Sequence, residues 1–366
     1  MRFSTDPSIP TSRASRGRCN SAVPARSSPV PSATKSRRPG EHRDPVADAA
    51  RPVTGVRPTP GPIAVLPVDN ETFAEAVRQG GGEVGDLCQD TRGIVWLNID
   101  GEALADVLAE HPAIEWVQVP MAGVERFSAI FEAQSDRALP LWTSAKGAFA
   151  EPVAEHAVTL ALASLREIPE KSRSTSWAGQ KTGISLYGRT VVIVGAGGIA
   201  HEIMRLLAPF EVSITIVRRS ADPVAGATRT VASADLMSVL PDADLVILAA
   251  AATGETTHLL GREQLAAMKP TAVVVNIARG SLIDQVALDA ALRSGQLAGA
   301  GLDVTTPEPL PDDHPLWSAP RCVITSHSAD TPEMVEPLLA ERIRANVAAL
   351  LGDGAFVGIV DPVAGY

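Results

Sequence analysis

Val191-Val192-Ile193-Val194 runs without a break into Gly195-Ala196-Gly197-Gly198-Ile199-Ala200. Four β-branched apolar residues read as a buried strand, and the apolar spacing after Gly198 reads as a helix. Between them, Gly195 permits a tight turn and Gly197 lets backbone approach a pyrophosphate. Ala200 is the small residue that allows helix and strand to pack closely. Unpaired amides at the helix N-terminus favour the charge of a diphosphate. A glycine pattern alone is a weak signal. Lying between a strand and a helix, this one reads as a dinucleotide-binding turn, with Gly195, Ala196, Gly197, Gly198 and Ile199 as candidate cofactor contacts.

Outward from that turn, strands and helices alternate. Downstream, strands are predicted at Ser213–Val217, Leu245–Ala249, Ala272–Asn276, Gly299–Leu302 and Cys322–Thr325, making six with the first. Helices fall at Ile199–Leu207, Ser233–Val239, Arg262–Met268, Gln285–Ser294 and Thr331–Leu351. Upstream, strands at Ile63–Pro67, Ile94–Asn98, Ile114–Val119 and Leu139–Thr143 alternate with helices at Glu71–Gln79, Glu102–Glu110 and near Val124–Glu132. Glu151–Leu165 forms a long apolar helix, with Pro152 tolerated near its start. The expected fold is α/β, with two doubly wound parallel-sheet domains.

About 20 residues past the glycine turn, such folds usually place a carboxylate for the ribose 2′-hydroxyl. Here the strand ends at Val217-Arg218-Arg219-Ser220, and no carboxylate appears until Asp222. Two guanidiniums and a hydroxyl suit a 2′-phosphate through charge-assisted contacts. The residues therefore favour NADP over NAD. The bland alternative is that the arginines are solvated surface.

Three further stretches each follow a predicted strand: Asn276-Ile277-Ala278-Arg279-Gly280, Asp303-Val304-Thr305-Thr306-Pro307-Glu308-Pro309, and Thr325-Ser326-His327-Ser328-Ala329. In an open parallel sheet, ligands bind at this edge. Arg279 can fork onto a carboxylate and polarise a carbonyl. His327 can donate a proton as hydride arrives. Glu308 can hold the second imidazole nitrogen. Taken singly, Arg279 reads equally as a capping or ion-pair residue, Glu308 as a loop residue and His327 as a core histidine. Their occurrence at three successive strand ends favours catalysis. His156 is read as structural and His201 as facing outward. Trp142, Trp317 and Met121 are candidates for pocket wall or core alike.

These stretches resemble the D-isomer-specific 2-hydroxyacid dehydrogenase family, over residues 62–366. Supporting stretches are Gln118-Val119-Pro120-Met121-Ala122-Gly123-Val124-Glu125, Ala154-Glu155-His156 and Gly254-Glu255-Thr256-Thr257. The Pro-Met-Ala-Gly-Val-Glu stretch and Asp303 to Pro311 look most like the glyoxylate/hydroxypyruvate reductase branch. The resemblance implies a Rossmann cofactor domain, 156–330, and a split flavodoxin-like substrate domain, 62–155 plus 331–366. It implies catalytic roles for Arg279, Glu308 and His327, and a homodimer. Substrate carboxylate would meet the segment Met121, Ala122 and Gly123 together with Arg279. Asp303 would face the nicotinamide carboxamide, with Thr256, Ile277 and Ala278 lining the groove and Ala251 on the adenosine side. Ser326 and Ala251 stand where prolines are usual.

Composition bounds the alternatives. Hydrophobic residues make up 45% and aromatics 4% of the 366 residues, an aliphatic-core balance without a membrane-length apolar run. The cysteines, Cys19, Cys88 and Cys322, show neither disulfide nor metal spacing, which suits a cytoplasmic protein without a metal. Residues 1–60 hold eleven Lys/Arg against four Asp/Glu, a net +7, leaving −17 for the rest of a chain of net −10. That Pro/Ser/Arg-rich stretch has no apolar periodicity and is expected to be a disordered extension, with no nucleic-acid-reading motif. The competing function is a non-catalytic dinucleotide sensor or corepressor-like protein on the same fold.

Overall fold

Short, mostly apolar runs three to six residues long, most followed by a helical segment, assemble into two sheets whose named strands all pair in parallel. The protein is described here from a computed structural model, covering residues 57–68, 70–133, 140–177 and 181–362. The smaller sheet contains β1 (Ile63–Leu66), β2 (Gly93–Trp96), β3 (Trp116–Gln118) and β4 (Leu141–Thr143) in that order. Helices α1 (Glu71–Gln79), α2 (Gly101–Glu110) and α3 (Ser128–Ala133) connect them. A parallel bridge from Ile63 to Val84 places a further, one-residue strand outside β1. Counting it, the order becomes 2-1-3-4-5, the doubly wound order of flavodoxin-like folds. The bridge was not predicted, because a single residue carries no periodicity.

After β4 the chain enters α4 (Ala150–Leu165) and the short α5 (Ile168–Ser172), then the larger sheet. Its strands are β5 (Thr190–Val194), β6 (Ser213–Arg218), β7 (Arg229–Ala232), β8 (Leu245–Leu248), β9 (Val273–Asn276), β10 (Gly299–Leu302) and β11 (Cys322–Ile324). The helices α6 (Gly198–Leu207), α7 (Arg262–Ala267) and α8 (Gln285–Ser294) intervene, and α9 (Pro332–Leu351) follows. The order β11-β10-β9-β8-β5-β6-β7 reverses between β5 and β8, where the glycine turn emerges. Ligands bind at such switch points, outside the carboxyl ends of the strands.

Among the described residues, the larger sheet has seven strands where six are expected. The extra one, Arg-Thr-Val-Ala at the edge, buries only Val231, too little to read as a strand pattern. The helix expected at Ser233–Val239 is instead a 3-10 segment, Ser233–Ser238, followed by a second 3-10 segment containing Pro241. Along β5, Val192 and Val194 face one apolar cluster, while Val191 and Ile193 face another. The first includes α7 and α8; the second includes α4 and α6. Burial on both faces explains an apolar run without alternation.

The small sheet is covered similarly. Phe73, Ala76 and Val77 of α1 meet Leu339, Ile343 and Val347 of α9 on one face. On the other, Trp142 is core: it is fully buried, with ring centroids 5.7 Å from Phe127 and 5.0 Å from Phe131. Trp317 is half-exposed, its indole donating to the Pro311 carbonyl at 2.8 Å. A buried polar chain fixes α9: Asn346 donates to Gln118 Oε1 at 2.9 Å, and Thr143 donates to the same oxygen at 2.8 Å. The expectation for residues 1–60 lies outside the described residues except at its end. There Arg57 donates to the carbonyls of Ala349 and Gly352 and lies over the Phe356 ring, and Pro58 is buried. Among the described residues, the chain thus packs on the folded body from Arg57 onward, ahead of Gly61.

Candidate active site

The glycine turn is shaped by its backbone. Gly195 has φ +115°, and a methyl there would collide with the Ala249 carbonyl. Its amide donates to the Val217 carbonyl at 2.8 Å, tying the turn to β6. No side chain caps the first amides of α6, and a Cβ on Gly197 would meet no protein atom within 4 Å. A methyl there would occupy the space before the helix N-terminus that a pyrophosphate needs. Ala200 is fully buried, as close helix–strand packing demands. Gly198 and Ile199 begin α6, and the turn fits a dinucleotide.

At the end of β6, Arg218 and Ser220 are half-buried and Arg219 is exposed. The Ser220 hydroxyl, expected as a phosphate donor, instead donates to Asp222 at 2.6 Å. Asp222 therefore adds a carboxylate to that corner. Past β8, the Thr256 hydroxyl donates to the Ala251 carbonyl at 2.9 Å and accepts from the Thr253 amide at 2.7 Å, folding its own loop. Ile277 and Ala278 are buried after β9.

Arg279 is held by its neighbours. Asn276 accepts from the Ala278 amide at 3.0 Å and donates to the Arg279 carbonyl at 2.9 Å. The next residue, Gly280, packs against the Thr305 backbone so closely that a methyl would collide with it. One guanidinium nitrogen donates to the Ala278 carbonyl at 2.8 Å; the other lies 3.4 Å from Glu125. Gly123 lies beneath both, since a methyl there would collide with Arg279 Nη2 and the Glu125 carboxylate. The β3 loop bearing Met121, Ala122 and Gly123 is thus brought to Arg279. The sequence alone gives Glu125 no role, because only the fold pairs it with residue 279.

His327 Nδ1 lies 3.0 Å from Glu308 Oε2, and the other Glu308 oxygen accepts from the Thr305 amide at 2.9 Å. His327 adopts φ +50°, a left-handed conformation uncommon outside glycine. Its amide donates to the Asp303 carbonyl at 2.8 Å. The Asp303 carboxylate, 1% exposed, accepts from Thr325 at 2.6 Å, the Ser328 amide at 2.9 Å and the Ala329 amide at 3.2 Å. His156 Nε2 lies 3.0 Å from the Thr325 hydroxyl and 3.3 Å from Asp303. Burial alone would raise the Asp303 carboxyl; the bonds from His156, Thr325 and Ser328 outweigh it and hold the group at about 2. Burial, with Asp303 nearby, pushes Asp330 up, while His327 pulls it down. His201 does not face outward as expected: it is half-buried on α6, and burial lowers its pKa.

Cavities of about 320 and 280 Å³ lie elsewhere, at the N-terminal edge of the large sheet and between α1 and α9. Neither is lined by a candidate site residue. Among the described residues, no cluster of three or more His, Cys, Asp or Glu could hold a metal. Nor, among them, is any helix long and apolar enough to cross a membrane.

Residues 157–329 match the model of the D-isomer specific 2-hydroxyacid dehydrogenase NAD-binding domain. A Corynebacterium melassecola protein, described only as uncharacterized and in the proB 3′ region, is 35% identical over 80% of this chain and 95% of its own length. A glyoxylate reductase of Korarchaeum cryptofilum is 35% identical over 57% of this chain, and the match spans 65% of that enzyme. For a glyoxylate reductase/hydroxypyruvate reductase of Mus musculus the identity is 36%, over 50% of this chain and 58% of that one. An NADPH-dependent glyoxylate/hydroxypyruvate reductase from Sinorhizobium meliloti, solved with NADP and malonate, superposes with TM-score 0.64 at 27% identity. That superposition covers 84% of this chain and 98% of the other. With the switch-point turn and the Arg–Glu–His edge in place, the chain belongs to the D-isomer-specific 2-hydroxyacid dehydrogenase family, nicotinamide-dependent oxidoreductases, in its glyoxylate/hydroxypyruvate reductase-like branch.

Proposed function

We propose that the protein reduces a small 2-keto acid to the 2-hydroxy acid, with NADPH favoured and NADH the weaker cofactor. The observation that carries this is the His327–Glu308 pair, 3.0 Å apart, at the sheet edge that also bears Arg279 and the glycine turn. The nicotinamide, when bound, supplies the hydride. Arg279 binds the substrate carboxylate, together with backbone amides around Ala122 and Gly123, and polarises the carbonyl. Glu308 holds Nδ1 of His327, so Nε2 is the nitrogen that gives its proton to the carbonyl oxygen. The paired Glu308 carboxylate balances the imidazolium's charge before the proton leaves, and the transfer leaves a neutral ring.

Support for NADPH comes from Arg218 and Arg219 at the end of β6 and from the Sinorhizobium relative solved with NADP. The Asp222 carboxylate, 2.6 Å from the Ser220 hydroxyl, works against it and limits the expected preference. A non-catalytic sensor would need the turn but neither the paired histidine nor the clamp arginine. We extend the proposal to a cytoplasmic homodimer in which residues 62–155 and 331–366 close over 156–330. The decisive experiment assays glyoxylate, hydroxypyruvate, pyruvate and phenylpyruvate with NADPH and NADH. Reduction of at least one, faster with NADPH, supports the proposal. Cofactor binding without turnover on any of them supports the sensor instead.

A further inference from the structure

His156 comes from α4, remote in sequence from every strand end of the site. Its side chain is one-fifth exposed, and Nε2 reaches the Thr325 hydroxyl at 3.0 Å. Thr325 already gives its own proton to Asp303 at 2.6 Å, so the histidine nitrogen must be the donor. The result is a directed network from α4: His156 Nε2–H points to the Thr325 oxygen with the Asp303 carboxylate 3.3 Å from the same nitrogen, and the Thr325 hydroxyl donates to that buried carboxylate. That carboxylate collects the amides of Ser328 and Ala329, while the Asp303 carbonyl collects the amide of His327. Three consecutive amides around the histidine are therefore fixed by one residue. They hold His327 in a left-handed conformation, φ +50°, that a non-glycine residue adopts at a cost.

We propose that His156 is a positioning residue for His327, acting through the Thr325 hydroxyl and the Asp303 carboxylate. The inference rests on His327 as proton donor for its effect on turnover, but not for its effect on the loop. α4 directly follows the small sheet and packs through Leu160 and Ala161 on the large one. The chain of hydrogen bonds thus couples the helix joining the two sheets to the backbone that aims the imidazole.

The test uses the full chain with His156→Leu, His156→Gln, Thr325→Val and Thr325→Ser. Glutamine keeps a donor near the position of Nε2, and serine keeps the hydroxyl. Leucine and valine should lower kcat with glyoxylate and NADPH by about tenfold to a hundredfold, as expected of a misaimed catalytic group. Gln and Ser should restore most of it, and the Kd for NADPH should move little. The His156→Leu, Thr325→Val double variant should lose clearly less than the two single losses combined, since both act on one carboxylate. Amide hydrogen exchange over 325–330 should accelerate in the Leu and Val variants while α4 stays protected. That readout needs no substrate, so faster exchange in a protein that reduces no keto acid would sink the proposed function and leave the latch standing. Unchanged exchange, additive losses, or no rescue by Gln and Ser overturns the latch. If His156→Leu does not fold, the Thr325 pair decides alone.

Discussion

The turn after β5 and the loop after β11 lie at the same edge of one sheet, and both contain a left-handed residue. They are held by opposite means. At the first the residue is Gly195, φ +115°, and backbone suffices: one amide to Val217 and close packing on Ala249. At the second the residue is His327, φ +50°, and a buried carboxylate with four nitrogen and oxygen donors around it does the work. A non-glycine residue there costs on the order of 1–3 kcal/mol, which the surrounding hydrogen bonds must offset. Where only a phosphate must be received, glycine is enough. Where the left-handed position must itself carry an imidazole, the strain is unavoidable and the support comes from distant residues.

The largest effect separates the two regions outright. His327→Gln should lower kcat by about 10²–10⁴, the usual share of general acid catalysis, while Kd for NADPH stays near wild type. Wild-type turnover would move the chemistry away from the loop. Lost cofactor affinity would show that the two regions are not separable. On the cofactor side, Arg218→Asp should reduce the NADPH-to-NADH ratio of kcat/KM by about one to three powers of ten. The lower end is favoured, since Asp222 already lies beside Ser220, 2.6 Å from its hydroxyl. An unchanged ratio would make Arg218 mere surface charge.

Two glycines sharpen the contrast between backbone and side-chain support. Gly195→Ala places a methyl on the Ala249 carbonyl, which cannot move without disturbing the adjacent end of β8. Strain of about 1–3 kcal/mol should appear as a lower Tm and roughly tenfold or greater loss of NADPH affinity. Gly123→Ala meets only the far ends of Arg279 and Glu125. These can swing aside, so Tm should hold and KM for the keto acid should rise by about one order of magnitude or less. Equal loss of Tm in both would show that Arg279 is as immovable as a strand.

The same contrast explains what was legible in the sequence. The glycine turn reads directly because all its determinants lie within Val191 to Ala200. The strands of both sheets read as aliphatic runs, and Arg279, Glu308 and His327 stood out because each follows one. What went unread depends on contacts distant along the chain or on elements too short to have a period. For His156, nothing nearby in the sequence points to its contact with Thr325, 169 residues away. Glu125 meets Arg279 across 154 residues. β7 and the Val84 bridge expose too much or are too short to show a pattern. Ser220 reads in sequence as a phosphate donor, whereas Asp222, two residues on, takes its hydroxyl proton.

The smallest effect varies with pH only in acid and again distinguishes loop from turn. The Asp303 carboxyl sits at about 2 against an ordinary 3.8, because hydrogen bonds from His156, Thr325 and Ser328 outweigh the opposing effect of burial. A carboxyl depressed in the folded state contributes stability that is complete above its unfolded value and disappears as pH falls through its folded one. The window is therefore about pH 4 down to about pH 2, and nothing should change above it. Asp303→Asn removes the charge while keeping the shape, so the wild type should exceed it in urea midpoint by a constant margin above pH 4. That margin should shrink steadily as the pH is lowered toward 2. Gly195→Ala, which alters a turn without a titrating group, should show a margin that does not vary with pH across the same range. A wild-type advantage over Asp303→Asn that survives undiminished at the acid end would mean that the carboxylate's charge is not what the His327 loop leans on, and that its shape and hydrogen-bond count suffice.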